Sequence, residues 1–304
     1  MGKRWTAALA LAAALGAGYW WLALDGRLPD AAHYDFDLAE VRRLADSLPG
    51  DKPAAVQVEK VAAFSFPEAM VMAGGAWRGL EIPVYAYRLV YADRTVMVDS
   101  ALDRSLAKPA FMVPFFDDAA YARVEKALEQ AALIVVTHEH MDHLGGLARH
   151  PQLAALLPAT RLTAAQLAEP KYAKAAGLPD GALAGYAPLR YERYAALAPG
   201  VVLVAAPGHT PGSQMVYVRR ADGRELLFIG DVAWQMRNIE AQRERPRWVT
   251  GGLIDEDRVA VAGELKALDA LRRAAPELHL VPGHDGEAVA ALVAAGLLQP
   301  GFQE

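Results

Sequence analysis

Cysteine is absent from the 304 residues. That excludes a disulfide framework, an iron–sulfur cluster, thiolate-ligated zinc, a catalytic thiol and a lipid-modified N-terminal cysteine. Any metal must be held by His, Asp or Glu. The chain also lacks an excess of positive charge, because 31 Lys and Arg against 36 Asp and Glu leave a formal net charge of -5. No basic stripe is available for nucleic acid, and none is expected as a partner. Hydrophobic residues make up 54% of the chain and charged residues 22%. That is too apolar for a disordered chain and sufficient for a sizeable core.

Charge is missing altogether from one stretch, Trp5 to Leu24. Its length of about 20 residues would span roughly 30 Å as a helix, the thickness of a bilayer core. Lys3 and Arg4 precede it, and Tyr19, Trp20 and Trp21 lie near its far end, where amphipathic rings favour the interface. The pattern predicts a membrane anchor through residues 5–24 with a cytoplasmic N-terminus, placing the chain beyond Asp25 in the periplasm. The alternative is a cleaved secretory signal, whose apolar core is usually shorter, about 7–15 residues. Export is implied by either.

Residues 1–25 therefore form the anchor or signal segment, 26–53 a polar connector with one helix over Leu38–Leu48, and 54–304 the folded domain. Within that domain, strands are expected at Val56–Val61, Ile82–Tyr91, Thr95–Val98, Leu133–Val136, Val201–Ala205, Met215–Arg219, Leu226–Ile229 and His279–Val281. Helices are expected from Asp117 or Asp118 to Gln130, over Thr163–Gly177 with a break at Pro170, and over Arg258–Ala274. Gly177 to Gly200 reads as irregular. Alternating strands and helices make the class α/β or α+β.

The chemistry concentrates after the apolar run Leu133–Val136, in Thr137-His138-Glu139-His140-Met141-Asp142-His143-Leu144-Gly145-Gly146. In an extended or turning segment His138 and His140 point the same way, while Asp142 and His143 can turn toward a neighbouring position. One short loop can thus serve two adjacent metals. Imidazole and carboxylate suit zinc, and also iron or manganese. Three more candidates lie after strand-like runs: His209 in Pro207-Gly208-His209-Thr210-Pro211-Gly212, Asp231 after Leu226–Gly230, and His284 in Pro282-Gly283-His284-Asp285. His33, His150 and His279 have no such context. Glu139, lying between candidate ligands, is expected to be solvated.

These motifs, in this order, resemble the metallo-β-lactamase-fold superfamily of metallohydrolases from about Val56 to His284. The resemblance implies a four-layer αβ/βα sandwich with two divalent metals, zinc above iron or manganese, in a cleft between the sheets. It implies that His138, His140 and His209 hold the first metal and that Asp142, His143 and His284 hold the second. Asp231 would bridge them, and Asp99 would support the ligand loop. A hydroxide shared by the metals would attack a carbonyl or phosphoryl centre, with Asp142 orienting it and moving its proton.

The layout is most similar to lactonase and phosphotriesterase-like members, so a small-molecule ester, lactone or similar bond is the expected target. The interval from His209 to Asp231 is too short for the inserted domain of nucleic-acid-processing relatives. Lactonases of this kind commonly carry Tyr three residues after the bridging Asp, whereas this chain has Trp234. Tyr186, Tyr191 and Tyr194, in the irregular segment, either line the pocket or are ordinary packing aromatics. Arg237 to Trp248, rich in arginine, reads as a solvated loop in preference to a binding segment for an anionic substrate. A thioester hydrolase and an iron-dependent redox enzyme of the sulfur-dioxygenase type remain alternatives, because the same ligands can hold iron.

Overall fold

The computed structural model describes residues 3–108 and 112–303. The first sheet contains β1 (Ala55–Pro67), β2 (Gly79–Val90), β3 (Thr95–Val98), β4 (Phe115–Phe116) and β5 (Leu133–Val135). The second contains β6 (Tyr194–Ala198), β7 (Val201–Ala205), β8 (Gln214–Arg219), β9 (Glu225–Gly230) and β10 (Leu278–Pro282). A short last strand, β11 (Gln299–Pro300), returns to the first sheet, whose order is β11-β1-β2-β3-β5 with β4 paired to β1. The second sheet runs β10-β9-β8-β7-β6.

Strand alternation explains the layering. Val201, Leu203, Val216, Val218, Leu226 and Phe228 share one core with Val56, Val58, Leu89, Val96 and Val98 of the facing sheet. Their neighbours Val202, Val204, Met215, Tyr217, Leu227 and Ile229 point the other way, onto Val41 and onto Val261, Leu265 and Leu268. Strands buried on both faces read as continuous apolar runs, which made them visible in the sequence. The helices Leu38–Ala45 and Arg258–Ala274 cover this outer face. On the other side, Asp118–Gln130 and Met141–Ala148 cover the first sheet through Val124, Leu128, Leu144 and Leu147. The result is the expected αβ/βα sandwich.

Helix starts obey capping chemistry. Asp117 accepts from Ala119 N and Ala120 N at 2.9 Å, and Asp257 accepts from Val259 N at 3.0 Å and Ala260 N at 3.1 Å. Each cap is worth about 1 kcal/mol.

One irregularity positions the site. The pairing of β1 with β2 shifts between Lys60 and Ala62. A one-residue slip turns the subsequent side chains to the other face. Val56 and Val58 therefore face the second sheet, whereas Ala62 and Phe64 face the opposite core, with Phe64 across from Ile82 and Phe66 across from Leu80.

Several boundaries differ from the sequence expectation. The stretch Thr163–Gly177 is helical only over Pro170–Ala175, because Thr163 and Gln166 bond each other's backbone in a turn. β6 lies inside the segment expected to be irregular. The helix expected over Leu38–Leu48 ends at Ala45. The helices Met141–Ala148 and Gly286–Ala294 were not expected, nor were the short ones Glu68–Val71, Leu153–Leu156, Met236–Glu240 and Arg247–Thr250.

The N-terminal helix, Lys3–Tyr19, continues into a wide turn over Trp20–Leu24 closed by Asp25 N donating to Trp20 O at 2.8 Å. The 21 residues Arg4–Leu24 are long and apolar enough to cross a membrane, and almost none of that span is buried.

Candidate metal centre

Both sheets deliver residues to one rim. His138 and His140 lie on the loop after β5, and Asp142 and His143 occupy the first turn of the Met141–Ala148 helix. His209 sits between β7 and β8, Asp231 directly follows β9, and His284 follows β10. The helix is held close by Ser100, whose N and Oγ both donate to His143 O, at 2.8 and 2.7 Å. Gly146 is required at this contact, since a Cβ there would lie 2.0 Å from Ser100 O.

The structure brings all seven candidates together in two groups, each able to hold a metal ion: His138, His140, His209 and Asp231, and Asp142, His143 and His284. In the first, His140 Nδ1 lies 3.1 Å from His138 Nε2 and 3.0 Å from His209 Nε2. In the second, His284 Nε2 lies 3.4 Å from His143 Nε2 and 3.3 Å from Asp142 Oδ2. Asp231 faces both. Its Oδ2 is 3.3 Å from His209 Nε2 and 3.7 Å from His138 Nε2, while its Oδ1 is 3.2 Å from His284 Nε2 and 3.4 Å from His143 Nε2.

Hydrogen bonds on the far sides of the rings decide which nitrogens carry lone pairs into the site. His284 Nδ1 donates to Pro83 O at 2.7 Å, which fixes its proton there. His143 Nδ1 lies 2.8 Å from Asp99 Oδ2, and His209 Nδ1 lies 3.0 Å from Glu256 Oε2. Thr137 Oγ1 donates to Asp99 at 3.0 Å, so at 3.2 Å it accepts from His138 Nδ1. In their neutral forms these rings turn four Nε2 lone pairs toward the Asp231 carboxylate. Among the described residues, buried Asp231 Oδ1 has no hydrogen-bond partner. Acceptors facing acceptors at these distances call for a cation between them, and the donor set suits zinc, iron or manganese.

The electrostatics agree. Burial holds His138 and His140 well below the ordinary histidine value, as neutral ligands require. Burial also opposes charge on His143, but the Asp99, Asp142 and Asp231 carboxylates outweigh it and raise that ring well above its usual value. Asp231 similarly lifts His209 and His284 against burial. Burial would raise Asp231 itself, yet His284, His143 and His138 hold it well below the usual carboxylate range. The cluster favours a positive charge at its centre.

A cavity of about 610 Å³ opens onto these groups. His140, Asp142, His209, Asp231 and His284 line its floor, and Phe64, Phe66, Met70, Ile82, Met112 and Val249 are among the apolar residues of its walls. The β1 bulge is what turns Phe64 and Phe66 toward this space.

The metallo-β-lactamase superfamily model matches residues 79–284. This chain belongs to that superfamily. Among curated relatives, an N-acyl homoserine lactonase of a Bacillus species is 26% identical over 179 residues, 53% of this chain and 68% of that protein. A Bacillus cereus N-acyl homoserine lactonase is 24% identical over the same shares. Among solved structures, an N-acyl homoserine lactone hydrolase with N-hexanoyl-L-homoserine bound at its catalytic metal centre has a TM-score of 0.62 at 18% identity, covering 79% of this chain and 96% of that one. AidC, a dizinc quorum-quenching lactonase, has a TM-score of 0.52 at 12% identity, covering 78% and 92%. The protein is a metal-dependent hydrolase of the metallo-β-lactamase fold.

Within this metallo-β-lactamase frame, two expectations need correction. Glu139 is not solvated. It is fully buried, accepts from Gly212 N at 3.1 Å and thereby ties the His138 loop to the His209 loop; burial pushes its carboxyl up to about 6. Nor is Arg237 to Trp248 simply a solvated loop. Arg245 is buried, pairs with buried Glu256 and donates to Asp231 O at 3.0 Å. Of the two readings for Tyr186, Tyr191 and Tyr194, packing holds, since none of them lines this cavity. Their hydroxyls contact Thr160 O, Gln214 Oε1 and Asp37 N.

Asp99 supports the ligand loop as expected, accepting from Thr137 N at 2.6 Å as well as holding His143. The sequence offered no signal for Glu256, since its partner His209 lies 47 positions away. Tyr172, whose ring meets His140 edge-on at 5.1 Å, was equally silent.

Proposed function

We propose that the protein is a binuclear hydrolase of a small-molecule ester or lactone bearing an apolar chain. His138, His140 and His209 would hold one divalent cation and Asp142, His143 and His284 the other, with zinc the favoured metal. Asp231, whose carboxylate faces both groups, would be shared between them. The observation that carries this reading is the division of the Asp231 carboxylate, with Oδ2 toward His138 and His209 and Oδ1 toward His143 and His284. Two divalent cations in such a site supply Lewis-acid polarisation of a carbonyl and a water made nucleophilic at neutral pH.

The chain's own groups do the rest. Phe64, Phe66, Ile82 and Met112 bind the apolar chain and keep water from it. Asp142, at the cavity floor and 14% exposed at its side chain, takes a proton at its carboxylate and returns it to the leaving alcohol. Trp234 stands where lactonases of the similar group commonly carry Tyr, and its N–H is committed to Asp231 at 2.7 Å. The ester or lactone carbonyl is therefore oriented without a phenolic hydroxyl from this position.

In domain terms, 1–25 is a membrane anchor, 26–53 a connector and 54–304 the catalytic unit, held outside the cytoplasm. The lactonase relatives support the substrate class, and the apolar N-terminal helix supports the location.

The test is a panel of acyl lactones, carboxylic esters and phosphotriesters, with Asp142→Asn as the diagnostic variant. Chelator-sensitive turnover of lactones or esters is expected, with Asp142→Asn about 10²–10⁴-fold slower at full metal content. Full activity of a fully metallated Asp142→Asn would overturn the proton role. Oxygen uptake with a thiol substrate, and no hydrolysis, would overturn the hydrolytic one.

A further inference from the structure

The far end of the N-terminal helix is fastened to the rim of the cavity. Arg247 Nη1 donates to Trp21 O at 2.6 Å and to Asp25 O at 2.7 Å, and its guanidinium lies 5.1 Å from the Trp21 ring centre. Arg243 Nη2 donates to Leu24 O at 2.7 Å. Gly74 N donates to Ala23 O at 3.0 Å, and Glu244 N donates to Gly26 O at 3.2 Å. Five backbone carbonyls at the end of an apolar span are thus held by the folded domain rather than left to a loose tether.

The grip and the cavity share residues. Arg247 begins the short helix Arg247–Thr250, and Val249 of the same turn lines the cavity wall. Between them Trp248 stacks on Trp77, ring centres 6.3 Å apart. Trp77 is 65% exposed, and Leu253, which also lines the cavity, is 61% exposed. An exposed Leu in the wall of an apolar cavity, and an exposed Trp joined to that wall through Trp248, cost hydrophobic free energy in water. Beside the exit of a membrane-length helix they have a natural occupant, the interfacial layer of a bilayer, where Trp rings are favoured. Arg27, exposed and 5.2 Å from the Trp20 ring centre, is paired with Asp25 at 2.8 Å, which holds its guanidinium beside that ring.

We propose that the N-terminal helix is retained and seats the domain on the bilayer, with Trp77 and Leu253 in the interface and the cavity mouth opening onto it. The substrate is then an amphiphile dissolved in the membrane, whose aliphatic tail passes from the lipid into the Phe64–Phe66 cavity. This inference rests on the hydrolase reading for its activity arm only.

The full-length chain, reconstituted in nanodiscs of phosphatidylethanolamine and phosphatidylglycerol, provides the test. Because the protein has no cysteine, Trp77→Cys and Asp222→Cys each take a single nitroxide label. Asp222 lies in the β8–β9 turn, at the strand ends remote from the metal-binding groups. The label at 77 is expected to be accessible to dissolved oxygen and shielded from a water-soluble relaxation agent. The label at 222 is expected to behave as aqueous. Equal aqueous exposure of both labels overturns the seating, whatever the activity.

Intact mass of the membrane-purified protein provides a second readout. Retention of the N-terminal segment is expected, and cleavage near residue 25 overturns the proposal. For the activity arm, rates toward an acyl lactone or ester are measured at fixed bulk substrate while lipid is added. A fall in proportion to surface dilution is expected. Rates that track only the free aqueous concentration would reject membrane delivery while leaving the hydrolase reading intact. Absence of turnover toward every substrate would reject the hydrolase reading, with the seating still decided by the labels.

Discussion

The indole Nε1 of Trp234 donates to Oδ2 of Asp231 at 2.7 Å, with both side chains buried beside the histidine cluster. The bond restrains the carboxylate that faces both metal-binding groups. Trp234→Phe keeps most of the packing against Phe66 but removes the donor. Metal affinity measured by competition with a chromophoric chelator should fall about 10–100-fold, the usual effect of losing an outer partner of a metal ligand. Unchanged affinity would show that Asp231 is held without it.

Gly283 gives a steric test of the same carboxylate. A Cβ at this position would lie 2.2 Å from Asp231 Oδ1, so Gly283→Ala must displace the carboxylate or the turn. Gly286→Ala is the control, because its added Cβ meets only Pro83 and Tyr85 at ordinary contact distances. Metal content is expected to drop in Gly283→Ala and to stay at the wild-type value in Gly286→Ala, with both variants folded by circular dichroism.

Asp99 adopts a left-handed backbone, φ +60°, a conformation that Asn tolerates nearly as well as any residue but Gly. Asp99→Asn therefore keeps the backbone turn while removing the charge and one of the two oxygens that accept from Thr137 and His143. An affinity loss of about 10–100-fold is expected. The melting temperature of the metal-free chain should change far less than in Asp99→Ala, where the turn is strained as well.

How much of this was legible in the sequence depended on range. Val201–Ala205, Thr95–Val98 and Arg258–Ala274 were readable to the residue because local pattern and capping specify them. The seven candidate ligands that the fold gathers at one rim were visible because each follows a strand in a recognisable motif. Glu139 and Arg245 misled for the opposite reason. Their charges are satisfied by Gly212 and by Glu256, contacts the fold alone brings together. The β1 bulge at Lys60/Ala62 left no local signature either, yet it decides that Phe64 and Phe66 face the cavity.

Glu264 provides a pH test away from the donors. It is buried behind the His209 loop, and among the described residues neither carboxyl oxygen has a hydrogen-bond partner. Burial, reinforced by nearby Glu256, pushes it up to about 8. A carboxyl that holds its proton more tightly in the folded state than in the unfolded one stabilises the fold fully below the unfolded value. That advantage is lost as pH rises toward 8. Glu264→Gln should therefore melt close to wild type near pH 4.5 and above it by pH 8–9. Between those limits the gap in stability should widen by up to about 1.4 kcal/mol for each pH unit. Parallel melting curves for the two proteins across this range would show that Glu264 does not titrate in the fold.

The most direct measurement is the metal content of the full-length protein and of Asp231→Ala by plasma mass spectrometry, with ester and lactone turnover followed before and after chelation. Two zinc ions per wild-type chain, reduced occupancy in Asp231→Ala, and turnover abolished by chelator and restored by zinc are the expected results. A single metal per wild-type chain with undiminished hydrolysis, or full double occupancy in Asp231→Ala, would contradict a binuclear centre joined through Asp231.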